Sequence, residues 1–194
     1  RLLGRFSDPT IGGITLGGVA LTMVANDELR KRVVVVPQEP FLFDDTIGNN
    51  LRFVSPSVSD QQLCDVFGAL GLEDWLTGLE HGLETVVGQR GAQLSSGERQ
   101  LIALVRASLV DPAILVLDEA TSSVDAVTEL RLCRAMEKSS QGRTTISIAH
   151  RLSTAKRADR ILVLNQGRLV EDGSHIDLVD AGGTYASMYS SWIT

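Results

Sequence analysis

Positive charge is in deficit in this sequence. Lys and Arg number 18 against 24 Asp and Glu, for a net charge of −6. That excludes a nucleic acid held through general basicity, because such binding needs clustered cations against phosphate. Cysteine is scarce as well. Cys64 and Cys133 have no metal-binding spacing and no near neighbour in sequence, so they read as buried, reduced thiols. Long apolar runs are missing. The longest, VVVV from Val33 and AILVL from Ala113, are strand-sized, far short of the ~20 residues that cross a bilayer. Internal repeats and low-complexity tracts are absent too. What is there is an ordinary globular composition, 43% hydrophobic and 22% charged over 194 residues, enough for one medium domain or for a domain with a lobe inserted in it.

The chain opens on RLLGRF, where Leu2, Leu3 and Phe6 have helical spacing with no preceding cap. The chain is therefore expected to start inside a helix, as a piece of something longer. Pro9 then ends that helix. Ile14 and Leu16, a Gly17-Gly18 turn, and Val19 and Leu21 predict a short hairpin. NDELRKR predicts one helical turn capped by Asn26, and RVVVVPQ a strand buried on both faces. From about Pro40 to Asp111 the patterns are helical, with Ser59 or Asp60 as a cap and Gly71 as a stop. A broad apolar face follows Gly97 and stops near Asp111-Pro112. Strand and helix then alternate: AILVLDEA, the helix after Asp125, RTTISIAH, STAKRAD, a hairpin turning at Asn165-Gln166-Gly167, and one or two closing helices. Such alternation predicts an α/β fold with a parallel sheet. The expected organisation is a core of residues 1–39 and 112–194, interrupted by a helical lobe at 40–111.

Four polar residues sit where three strands end. ILVLDEAT drives four apolar residues into the sheet and leaves Asp118 and Glu119 at its C-terminal end, the end at which open α/β sheets bind ligands. Two carboxylates with separate tasks suit metal-assisted phosphoryl transfer, one holding Mg²⁺ and one handling the attacking water. Gln38 follows the strand-ending Pro37 and would lie beside Asp118 if the two strands are neighbours; His150 ends the strand TTISIA. Before the long helix, Ser95-Ser96-Gly97 offers backbone N–H groups and a positive dipole end to an anion.

The run QLSSGERQLIALVRASLVDPAILVLDEATSSVD resembles the signature motif, Walker B motif and D-loop of an ATP-binding cassette (ABC) ATPase. VVPQEPFLF resembles that family's Q-loop, IAHRLST its H-loop and TVVGQRG the X-loop of its exporters. The resemblance spans essentially the whole chain and implies a P-loop NTPase (RecA-like) core with ATP and Mg²⁺ as ligands. It implies that Asp118 coordinates Mg²⁺ through water and that Glu119 is the general base. Gln38 would touch Mg²⁺ or the lytic water and sense a transmembrane partner, and His150 would hold the γ-phosphate. Ser95, Ser96 and Gly97 would contact nucleotide, and Asp125 would stand at the interface with a second nucleotide-binding domain. That partner, identical or different, would bind head to tail at the cytoplasmic face of the plasma (inner) membrane.

Two departures stand in the signature. Ser96 replaces a glycine, and Glu98 replaces a glutamine, adding negative charge near a phosphate site. A larger one is that no G-x-x-x-x-G-K-[ST] phosphate cradle occurs; TIGGITLGG is glycine-rich but has no Lys. The resemblance therefore implies a chain cut just after Walker A that lacks competent ATP binding alone. The leading reading is the nucleotide-binding domain of an exporter. A soluble ABC ATPase of translation or DNA repair shares the motifs, but TVVGQRG counts against it. A non-catalytic interaction fragment is the third reading.

Overall fold

The computed structural model describes residues 1–118, 124–149 and 152–193. Contacts divide the chain into two compact units, Arg1–Ile146 and Ser147–Thr194.

The first unit opens without a helix. Residues 1–7 form turns, and Arg5 sits at φ 51°, a left-handed backbone that stops helical propagation. Its guanidinium donates to the Val24 carbonyl at 3.0 Å, a distant contact that the local spacing does not reveal. The hairpin forms as expected. Strand β1 (Thr15–Leu16) pairs antiparallel with β2 (Val19–Ala20), and both turn glycines have positive φ, the requirement of a type I′ turn. Helix α1 (Asn26–Arg32) follows, but its N-cap is Ala25. Asn26 lies inside the helix, with its Oδ1 accepting from Arg5 at 3.4 Å.

The strand predicted from VVVV is β3 (Val33–Val36), and it pairs in parallel with β4 (Ile114–Asp118). The sheet order is β3-β4-β5, with β5 at Thr144–Ile148. Between β3 and β4 run α2 (Ile47–Arg52), α3 (Asp60–Leu70), α4 (Glu73–Thr77) and α5 (Ser96–Val110); α6 (Ala126–Ser140) follows β4. Helix α3 starts at a complete Ser59–Gln62 capping box and ends at Gly71 with φ 72°. Helix α5 ends at Asp111, which takes a left-handed cap just before Pro112. One continuous apolar core joins Val36, Leu115 and Leu117 of the strands to Leu63, Phe67, Leu101 and Leu104 of the helices. Cys64 departs from expectation. It is exposed on the outer side of α3, while Leu63 beside it is fully buried, and Cys133 is half-buried.

The second unit carries α7 (Leu152–Arg157), the hairpin β6 (Ile161–Asn165) and β7 (Arg168–Gly173), and the closing helices α8 (His175–Asp180) and α9 (Thr184–Ile193). Gln166 and Gly167 make the turn, both at positive φ. Its small core gathers Ala155, Val163, Leu178 and Tyr185. Glu171 of β7 caps α9 by accepting from the Thr184 and Tyr185 backbone N–H groups at 2.5 and 2.8 Å.

Candidate nucleotide site

The parallel register aligns Val36 with Leu117, so the ends of β3 and β4 lie level. Pro37 releases β3 from the ladder, and Gln38 follows in an exposed position. Asp118 closes β4 and is half-buried. The two are further linked through α5. Gln100 Nε2 donates to the Gln38 carbonyl at 3.0 Å across 62 residues of sequence. Gln100 and Asp118 also line one small cavity of about 20 Å³, walled by Val36, Leu104 and Leu117, with room for about one water molecule. Gln38 and Asp118 therefore stand at the same edge of the sheet, where the adjacent strands end. Glu119 and His150, the other residues expected there, lie outside the described residues. The donors in hand, a carboxylate and an amide oxygen, are hard oxygen ligands of the kind Mg²⁺ accepts.

The turn that opens α5 is built by a capping box. Ser95 is the N-cap of α5, its Oγ accepting from the Glu98 N–H at 3.2 Å. Glu98 Oε2 accepts in return from the Ser95 N–H at 2.8 Å, and its Oε1 accepts from Trp75 Nε1 at 3.2 Å. The Glu98 carboxylate is thus engaged on both oxygens by its own chain. Ser95 is exposed, Ser96 half-buried and Gly97 buried. Gly97 has a packing reason to be glycine. A Cβ there would stand 2.5 Å from Thr128 Cγ2 and 2.7 Å from Val124 Cγ1. The chain's own Val124 and Thr128 resist a side chain at this position before any nucleotide is considered.

Asp125 meets the same corner. It caps α6, its Oδ1 accepting from the backbone N–H of Val127 at 3.1 Å and of Thr128 at 3.0 Å. The bonds from Thr128, first among the causes, hold its carboxyl below the usual carboxylate range. Through Thr128, the structure brings Asp125 and Gly97 together.

Sequence reasoning missed three supports of this site. Trp75 and Glu98 are one, and the S-x-x-E spacing of a capping box was the available signal. Gln100 is another, a buried polar residue on the apolar side of α5. The third is Arg106. Its Nε and Nη2 donate to the Asn50 carbonyl at 2.9 Å and Asn50 Oδ1 at 2.6 Å, while Nη1 donates to the Phe41 carbonyl at 2.6 Å. Asn50, 1% exposed, also bonds the Phe43 backbone on both its N–H and C=O. Arg106 and Asn50 thereby clamp the segment after Gln38 onto α5. Burial lowers the Arg106 pKa; the guanidinium stays charged, since its ordinary value is far above neutrality.

A family model described as ABC transporter matches residues 1–122. The chain belongs to the ABC transporter family. Among its relatives, an ATP-dependent lipid A-core flippase of Alcanivorax borkumensis is 45% identical over 190 residues, covering 97% of this chain and 32% of that protein. An ATM1-type heavy metal exporter of Novosphingobium aromaticivorans is 43% identical, covering 98% of this chain and 31% of that protein. A solved bacterial Atm1-family ABC exporter with ATP bound superposes with a TM-score of 0.89 at 42% identity, covering 98% of this chain and 33% of that one. This chain thus spans about a third of the length of these ABC transporter relatives, and it shares their P-loop NTPase fold.

Proposed function

We propose that this chain is the nucleotide-binding domain of an ABC exporter and couples Mg-ATP binding and hydrolysis to substrate transport across a membrane. The observation that carries the reading is the level register of β3 and β4, which sets Gln38 and Asp118 at one sheet edge with Gln100 bonded to the Gln38 backbone. The names of the relatives, a flippase and a heavy metal exporter, favour an exporter over a soluble ATPase of translation or DNA repair.

In this reading Asp118 would hold the Mg²⁺, with Gln38 serving the same ion or the lytic water. A bound Mg²⁺ would offset the charge on the phosphate oxygens during transfer. Glu119 takes the proton of the water that attacks the γ-phosphate. His150 holds that phosphate and keeps the water and Glu119 in line. The Ser95–Gly97 turn meets the nucleotide of a second domain bound head to tail, whether identical or related, with Asp125 at their interface. The α5 dipole favours the arriving anion. Phe41, Phe43 and Phe53 are 56%, 40% and 65% exposed and form one aromatic cluster, with Phe43 5.1 Å from Phe41 and 4.6 Å from Phe53. An exposed apolar patch marks an interaction surface. Its place just after Gln38, beside the X-loop-like residues 85–91, supports a transmembrane partner docking there from the membrane side.

The test is the Mg²⁺-dependent ATPase of the domain assembled with its membrane partner. Asp118→Ala is expected to abolish turnover; wild-type turnover in that variant refutes the assignment.

A further inference from the structure

Glu98 is the joint between α4 and the start of α5. Trp75 is 6% exposed on α4, and its ring packs 6.0 Å from that of Phe67, inside the core of the helical segment. The indole N–H is a donor only, and burial makes its one partner necessary. That partner is Glu98 Oε1. The other oxygen takes the Ser95 backbone N–H, at the residue that opens the signature turn. The joint therefore needs two acceptors on one side chain. A carboxylate has them, whereas a carboxamide of the same shape has one oxygen and an NH₂ group that can only donate.

We propose that Glu98 is a positioning residue: by accepting from Trp75 and Ser95 together, it holds the Ser95–Gly97 turn in the geometry that meets the nucleotide phosphate of the second domain. The inference rests on the function proposed above. It contrasts with Glu98 acting as a negative charge set against that phosphate, and the two predict opposite signs. A charge facing phosphate weakens nucleotide binding, so its removal lowers KM for ATP and Trp75→Phe changes nothing. A joint strengthens binding by pre-ordering the turn, so its loss raises KM.

The experiment compares wild type, Glu98→Gln, Trp75→Phe and the double variant in the assembled transporter, with steady-state ATPase kinetics. Each single variant is expected to raise KM for ATP about fivefold, the net contribution of one ordinary hydrogen bond, while kcat changes less than about twofold. The double variant is expected to match the singles, since both remove one contact. A second measurement needs no nucleotide. In the 194-residue chain labelled with ¹⁵N, the Trp75 indole cross-peak, assigned by its loss in Trp75→Phe, is expected to move upfield in Glu98→Gln. An unmoved cross-peak overturns the joint itself. A moved cross-peak with KM unchanged, lowered or additive overturns the positioning role and leaves the proposed function standing. A wild-type assembly without ATP hydrolysis overturns that function and the proposal with it.

Discussion

Gly97→Ala isolates the close contact between the signature turn and α6. The added Cβ would lie 2.5 Å from Thr128 Cγ2 and 2.7 Å from Val124 Cγ1, where carbon pairs prefer ~3.5–4.0 Å. Overpacking of this kind costs ~1–3 kcal/mol. Alanine in place of glycine returns ~0.5–1 kcal/mol of helix propensity, and Gly97 is not among the positive-φ glycines, so alanine can adopt its backbone. Mid-range against mid-range, the net expectation is a loss of about 1 kcal/mol. In a domain of this size that is a fall of ~2–4 °C in Tm. Urea unfolding of the chain, followed by circular dichroism, reads it as a lower midpoint at constant slope. Thr128→Ser and Val124→Ala remove the opposing methyl groups and are expected to recover at least half of the loss when combined with Gly97→Ala. A Gly97→Ala chain as stable as wild type, or one whose loss adds independently to the two relieving changes, refutes the contact argument.

Other outcomes follow from the same geometry. Arg106→Lys loses the fork that serves Asn50 and Phe41 at once, and is expected to lower unfolding stability by ~1–3 kcal/mol, measured by the urea midpoint; an unchanged midpoint contradicts the clamp. Asp125 has a lowered pKa, so its ionised form contributes stability above the ordinary carboxylate value, and that contribution is lost as pH falls through the lowered one. Asp125→Asn keeps a capping acceptor but cannot titrate, so its unfolding midpoint should fall less than wild type between about pH 5 and 3; parallel profiles would dismiss the cap as a pH-dependent group. The 194-residue chain alone holds no G-x-x-x-x-G-K-[ST], and titration calorimetry is expected to find no saturable Mg-ATP binding; micromolar binding overturns that.

Much of the fold was readable because local chemistry and tertiary contacts agree. Val33–Val36 and Ile114–Asp118 are β-branched and apolar runs with turn residues at their ends, and they form the paired strands. Ser59 and Gly71 bracket α3 as their cap chemistry dictates. The misreadings arose where a distant partner decided a local choice. The helical spacing of Leu2, Leu3 and Phe6 yields to a turn in which Arg5 reaches Val24. Asn26 looks like a cap but serves Arg5 from inside α1. At the site, Gln38 and Asp118 were legible as strand-end residues, because β3 and β4 are adjacent. What holds them was not. Gln100 finds the Gln38 carbonyl 62 positions away, and Glu98 finds Trp75 23 positions away. Such pairings depend on how α4 and α5 pack, which no local pattern encodes. Glu98 looked from its charge like an intrusion on a phosphate site; its two bonds make it part of the turn's own framework.

The central proposal is that Glu119 is the base for ATP hydrolysis, and single-turnover phosphate release by the assembled transporter tests it most directly. With Glu119→Gln, the assembly is expected to bind Mg-ATP as wild type does and to release no phosphate above background, because the attacking water has lost its proton acceptor. Phosphate release at the wild-type rate in that variant contradicts the account.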